Sequence, residues 1–236
     1  MNSVIILIKK DNQIKFIFLL TLITVFLNAN SFYQSKKVLL KKVYFDNQFT
    51  FYCSNPYVIK QVKGKEKSLI IQNPKYYTPR NLYYKSGKPN ERAKRLEWEH
   101  VMPTHNFGQH LPCWRSGGRK ACKNDITFNE MEADMHNLVP SIGEINADRS
   151  NNKFGANIPK LGQYGKCNFE VDFKAKRAYI KDEIKGDIAR IYFYMSDRYN
   201  INLSKQERKI MEVWNKLDPV DEWERVKNKR VLRLEW

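Results

Sequence analysis

Four cysteines standing behind an N-terminal apolar run constrain this chain more than any other feature, because together they set where it folds and how it can be cross-linked. The run is FIFLLTLITVFL at 16–27, preceded by Lys9, Lys10 and Lys15 and followed by the small and polar residues NANS. Charge, apolar stretch and small residues in that order make a secretory signal, and the stretch is shorter than the roughly 18 residues a spanning helix wants. The chain therefore reads as a signal peptide over 1–31, cut after Ala29 or Ser31, and one mature domain over 32–236 with no stable membrane insertion. Export to the periplasm or the medium places Cys53, Cys113, Cys122 and Cys167 in an oxidising space, where an even count without CxxC spacing favours disulfides over a thiolate zinc site. The pairing stays open. The CWRSGGRKAC loop makes Cys113 with Cys122 the shortest closure, which would leave Cys53 for Cys167.

Charge then narrows the partner. The 236 residues carry 42 Lys and Arg against 25 Asp and Glu, a formal +17, and loss of residues 1–31 removes three lysines and Asp11 to leave +15. The excess is spread over KKVLLKK, KQVKGKEK, RAKR, GGRKACK, KAKR and RVKNKRVLR. A polyanion is the expected partner, and nucleic acid comes ahead of a membrane surface because no segment joins this charge to a long amphipathic stripe. A hydrophobic fraction of 42% with 13% aromatic residues rules out disorder throughout, and the absence of a Gly or heptad repeat rules out a fibrous rod. No repeat or linker divides the mature chain, so a single α+β domain with more helix than strand is expected.

Local patterns give the order of elements. Residues 32–60 suggest a helix and a short extended piece, 61–95 loops and short strands, and RLEWEHVMP a strand that ends at Pro103. Gly108, Pro112, Gly117 and Gly118 mark 108–125 as a long loop. FNEMEADMHNL predicts a helix over 128–138 stopped by Pro140, and SIGEINADRSNN a second one opened by a Ser141 and Glu144 capping box, with Asn146 inside it. The strongest helical periodicity falls late, over 187–200 and over KQERKIMEVWNKL after an INLS cap.

Two arrangements could carry chemistry. Three of the four histidines, His100, His105 and His110, recur at steps of five across Pro103 and Gly108, which does not align their rings on a helix face; no HExxH is present, and a triple-histidine zinc centre is disfavoured. The EWEH stretch is denser. Glu97 and Glu99 alternate with Trp98 and His100, and twist at the strand's end lets Glu99 and His100 converge on one site. A carboxylate can hold a hard divalent cation and an imidazole can take a proton from water, the two needs of phosphodiester hydrolysis. The plain alternative is a strand with solvated charges.

EWEHVMP, FGQHLPCW, GGRKAC, MEADMHNLVPSIGEINADRSN, GQYGKC and VDFKAK, in that order, resemble the secreted and periplasmic endonuclease I family over most of the mature chain, from FYC at 51 to WE near 224. The resemblance implies a ββα-metal (His-Me finger) core embedded in a mainly helical mixed domain. It implies a nonspecific endonuclease that uses Mg2+, with Mn2+ or Ca2+ able to replace it in binding, and leaves 5'-phosphate ends. The partners implied are double- and single-stranded DNA and also RNA, held through the phosphate backbone by a monomer. On the matched motifs, His100 resembles the general base, Glu99 and Asn146 the ligands of a single metal ion, and Arg119 the arginine on the cleaved phosphate. Glu97 is read as orienting the site or the arginine from behind it, and His136 as a structural residue. Positions 54 and 55 and Arg225 lack cysteines that many members have, so fewer disulfides are expected. The alternatives are a secreted nucleic-acid-binding protein without catalysis and, further off, a metallopeptidase.

Overall fold

The computed structural model describes residues 31–157 and 162–234. The apolar run of the expected signal segment lies outside the described residues. Ser31, the last residue given to that segment, is the N-cap of α1 (Phe32–Val38): its side chain accepts from the Gln34 amide while the Gln34 side chain accepts from the Ser31 amide, so two otherwise orphaned donors are satisfied. The helix runs on through one wider turn, Leu39–Val43. Strands β1 (Tyr57–Val62) and β2 (Lys65–Ile70) pair antiparallel. Lys63 and Gly64, both at positive φ, make the two-residue turn between them, the turn whose twist suits adjoining strands.

The centre of the molecule is β3 (Leu96–His100), which leads into three short helices, α2 (Thr104–Gly108), α3 (Pro112–Arg115) and α4 (Ile126–Ala133). The chain then returns as β4 (Leu138–Ile142), antiparallel to β3 with His100 opposite Leu138 and Leu96 opposite Ile142, and passes directly into α5 (Gly143–Arg149). Two paired strands followed by a crossing helix make the expected ββα core. Beyond it lie β5 (Lys153–Phe154), β6 (Phe169–Asp172) and β7 (Arg177–Ile180), in the order β5-β7-β6. Three helices follow, α6 (Lys185–Tyr199), α7 (Lys205–Leu217) and α8 (Glu222–Leu232). Tyr52, Val101, Phe128, Ile145, Phe169 and Tyr192 are among the residues of the main buried cluster, and a smaller one joins Leu39, Val43 and Tyr44 to Met135, Leu138 and Val231.

Several expectations are corrected. The helix predicted over 128–138 stops at Ala133, because Asp134 takes an extended conformation and its carboxylate accepts from the His136 amide, opening a separate 3-10 turn. Pro140 is therefore not a helix stop but lies inside β4 opposite Trp98. Its carbonyl accepts from the Phe51 amide, so this residue's polar groups face away from β3 and no ladder donor is lost. Nor do Ser141 and Glu144 form a capping box: Ser141 is in β4, and the Glu144 carboxylate instead accepts from Tyr77 Oη, the Arg80 and Asn81 amides and Asn90 Nδ2. The loop expected over 108–125 is mostly wound into α3 and a 3-10 stretch, Gly118–Asn124. The INLS cap expected before α7 does form, with Ser204 as N-cap, and Glu207 completes a capping box. The disulfides are Cys53–Cys167 and Cys113–Cys122.

Candidate active site

Alternation along β3 sends its side chains to opposite faces, and the two faces meet different neighbours. Glu97 and Glu99 look toward α5, whereas Trp98 and His100 look toward α1 and the turn that follows it. All four border one open cavity of about 670 Å3, together with Phe32, Lys36, Arg92, His105, Arg119 and Asn146. The convergence of Glu99 and His100 expected from strand twist is thus achieved from opposite sides of the strand's end.

On the α5 side the carboxylates are held but not used up. Tyr52 Oη donates to Glu99 Oε1 at 3.1 Å, and Arg149 Nε forms an ion pair with the same oxygen at 3.4 Å. Both partners serve Oε1, which leaves Oε2 to the cavity. Arg149 is fully buried; its Nη2 donates to the Val101 carbonyl at 2.7 Å and its guanidinium lies over the Phe154 ring. Burial pushes the Glu99 carboxyl up to about 7, with Arg149 and the Tyr52 hydrogen bond acting in the opposite direction. Glu97 accepts from Arg92 and Arg95, and from Asn146 Nδ2 at 2.9 Å. With its amide nitrogen committed, Asn146 turns its oxygen away from Glu97. Gly143 permits this closeness, since a Cβ there would lie 2.7 Å from the Arg92 carbonyl and 2.9 Å from Glu97 Oε1.

The other face is aromatic. His100 is buried, and its Nε2 lies 2.8 Å from the Glu132 carbonyl. A carbonyl only accepts, so the hydrogen-bond network assigns the ring proton to Nε2 and makes Nδ1 the lone-pair nitrogen. Burial lowers His100 to about 3, against the raising effect of that hydrogen bond and together with the positive charges of Arg119 and Lys36. The ring is consequently a neutral base rather than an imidazolium at ordinary pH. Arg119, in the 3-10 stretch that ends near Cys122, borders the cavity with its Nε donating to Glu132 Oε1 at 2.5 Å. Its other guanidinium nitrogens make no hydrogen bond among the described residues.

The structure gathers His100, Glu99, Asn146, Arg119 and Glu97 in one cleft. His136 stands apart, against Asn228 and the Tyr194 ring. Among the described residues no three His, Cys, Asp or Glu side chains form a metal cage. Three participants were not singled out from the sequence: Tyr52 and Arg149, which hold Glu99, and the Glu132 carbonyl, which fixes His100. Only Arg149 left a signal, being one helical turn beyond Asn146.

A strand carrying a carboxylate and a neutral histidine, paired with a second strand that runs into a helix bearing an asparagine, defines the His-Me finger class of nuclease. The Endonuclease I family model matches residues 31–235, and the chain belongs to that family. It is 41% identical over 208 residues to Endonuclease-1 of Buchnera aphidicola subsp. Acyrthosiphon pisum (strain APS), covering 87% of this chain and 77% of that protein. It is 42% identical over 204 residues to an extracellular deoxyribonuclease of Aeromonas hydrophila, covering 86% and 84%, and 42% identical over 197 residues to a periplasmic deoxyribonuclease of the same species, covering 83% and 78%. The chain is a nuclease of the periplasm or the extracellular medium, a setting in which its two disulfides persist.

Proposed function

We propose that the chain is a nonspecific, magnesium-dependent endonuclease that hydrolyses DNA, and RNA as well, through one metal ion and leaves 5'-phosphate ends. The observation that carries this reading is His100 itself: a buried neutral imidazole, its Nε2 fixed on a backbone carbonyl, bordering a cleft that a carboxylate and an arginine also line. The deoxyribonucleases among its relatives support DNA as substrate. The basic loops support contact with phosphates rather than with base edges, which carries no sequence code.

Glu99 Oε2 and Asn146 Oδ1 fit a hard cation. They are oxygens with one formal charge between them, and since burial raises the Glu99 carboxyl to about 7, a cation beside it would favour the ionised form. So small a set of protein ligands suits an ion that keeps several waters. When bound, magnesium supplies positive charge to the phosphate and to the leaving oxygen. Glu97 holds Asn146 by its amide nitrogen, while Tyr52 and Arg149 hold Glu99 by its first oxygen. His100 Nδ1 accepts the proton of a water attacking phosphorus, and the positive charge that results spreads toward the Glu132 carbonyl. Arg119 donates to phosphate oxygens from a guanidinium already braced on Glu132, which suits a planar fork to a tetrahedral anion.

The test is plasmid nicking and duplex binding measured in parallel, with magnesium or EDTA, across a salt series. Cleavage should vanish in EDTA while most binding survives, and binding should weaken steeply with salt. Undiminished nicking in EDTA would reject the metal-dependent reading and favour another route to hydrolysis; binding with no cleavage under any condition would favour the non-catalytic alternative.

A further inference from the structure

Helix α1 takes no part in the mechanism above, yet its first turn reaches into the cleft. The Phe32 ring lies against the His100 ring with centroids 4.8 Å apart and planes inclined by 34°. Lys36, one turn on, has its ammonium 4.5 Å from the centroid of that same Phe32 ring, and the Arg119 guanidinium is 5.5 Å from it. One aromatic side chain thus touches the general base and two cations bordering the cavity.

The helix is fastened where this matters. Ser35 is fully buried, and its Oγ donates to the Ala133 carbonyl at 2.6 Å. The neighbouring carbonyl, that of Glu132, is the acceptor for His100 Nε2. Residues 132 and 133 at the end of α4 therefore fix both the base and the helix that packs on it. The Ser31 and Gln34 capping box closes the same first turn, the one that carries Phe32.

A single hydrogen bond at Nε2 sets the direction of the imidazole but leaves it free to swing about the Nε2–oxygen line, which would carry Nδ1 out of alignment. Ring contacts remove that freedom. Phe107 meets His100 edge-on at 6.1 Å, and Phe32 supplies the closer, flatter contact. We propose that Phe32 is a positioning residue for catalysis, an aromatic wall that holds the plane of His100 so that Nδ1 addresses the attacking water. The inference rests on the assignment of His100 as the base. It assigns no bond-making role to Phe32, and it concerns the rate of the chemical step rather than the capture of DNA, because Arg119 keeps its separate brace on Glu132.

The experiment compares F32A, F32L and F32Y with wild type and H100A in protein that begins at Asn30, so that the Ser31 cap of α1 is kept. It measures kcat and KM on a duplex oligonucleotide, duplex affinity in EDTA, and Tm. In F32A, kcat should fall about 10- to 100-fold, since small misplacements of a reacting group cost that much, while KM and affinity change by less than about threefold. F32L keeps the apolar volume without a flat face and should hold Tm while staying roughly tenfold slow. F32Y should return kcat to within about twofold of wild type. A wild-type kcat in F32L, or losses in F32A that F32Y does not restore, would overturn the positioning role while H100A remains inactive. An active H100A would instead overturn the base assignment and this inference with it.

Discussion

The two faces of β3 do opposite things with the same physical cause. Facing α5, Glu99 is a buried carboxylate pushed up to about 7; facing α1, His100 is a buried imidazole pushed down to about 3. Burial disfavours whichever form is charged, so without a cation both side chains are biased toward neutrality. The surroundings differ in what they are ready to accept. Glu99 is held by Tyr52 and Arg149, both on the same carboxylate oxygen. His100 sits against Phe32 and Phe107, which offer no polar atom to compete for Nδ1. One face raises a carboxyl and the other lowers an imidazole, and a single strand places them one residue apart.

The comparison breaks most visibly if the aromatic face is emptied of its base. His100→Ala should lower kcat by about 10²- to 10⁴-fold, the usual contribution of a general base, with duplex affinity in EDTA unchanged. Parallel turnover and binding measurements check this, and a kcat within a few-fold of wild type would sink the assignment. On the opposite face Glu99→Gln should behave as a chelator does: nicking at ordinary magnesium is lost, salt-dependent binding persists, and manganese affinity by titration calorimetry falls. Full activity in that variant would show that the carboxylate is not a ligand.

How much of this was legible in the sequence differs between the faces as well. The acidic face could be read as EWE, because period-two alternation alone puts Glu97 and Glu99 together. Asn146 and Arg119 were legible only through the family resemblance, since an asparagine in a helix and an arginine after two glycines have ordinary explanations. On the aromatic face His100 was legible from EWEH, but what packs against it was not. Phe32 lies 68 positions before His100 in the chain, and no local pattern announces a contact at that separation. The Glu132 carbonyl carries no residue signature, because any side chain leaves a backbone oxygen. In the fold, α6 and α7 were readable because their apolar residues repeat along one side. Helix α8 was missed since, among eleven residues rich in charge, only Val231 is buried. Pro140 misled because its usual role as a helix breaker was applied where an edge of β4 could accept it.

A smaller effect sharpens what supports the acidic face. Arg149 has no exposed surface, and it is the positive charge beside Glu99. Arg149→Met fills similar volume but leaves Glu99 without its counter-charge. Removing one partner of a buried pair costs on the order of 3–5 kcal/mol, although in this case protonation of Glu99 relieves part of it. Urea melts at neutral pH should show a clear loss of stability that shrinks in the double variant with Glu99→Gln. A double variant no more stable than Arg149→Met would mean that the arginine matters through its bonds to the Val101 carbonyl instead.

The least conspicuous prediction is a pH dependence that should be hidden in the wild-type protein. Take the metal-free molecule between about pH 4.5 and 6.5, the ordinary values for an unfolded Glu and His. Unfolded, the His is protonated and the Glu ionised; folded, His100 stays neutral and Glu99 keeps its proton. Each state holds one proton on this pair, so the two contributions to the slope cancel. His100 alone gives stability that is present above pH 6.5 and is lost as pH falls toward 3. Glu99 alone gives stability that is present below pH 4.5 and is lost as pH rises through 7. Removing either unmasks the other. Glu99→Gln should grow more stable as pH rises across this window, and His100→Asn less stable, each by at most about 1.4 kcal/mol per pH unit. Urea melts of the three proteins in EDTA at pH 4.5, 5.5 and 6.5 measure the differences directly, with the remaining titrating groups common to all. Three parallel lines would show that burial does not shift the pair in opposite directions, and the contrast between the two faces of β3 would fail. Saturating magnesium provides the complementary check: a cation on Glu99 ionises it in the folded state, so the wild type should then acquire the rising slope of Glu99→Gln.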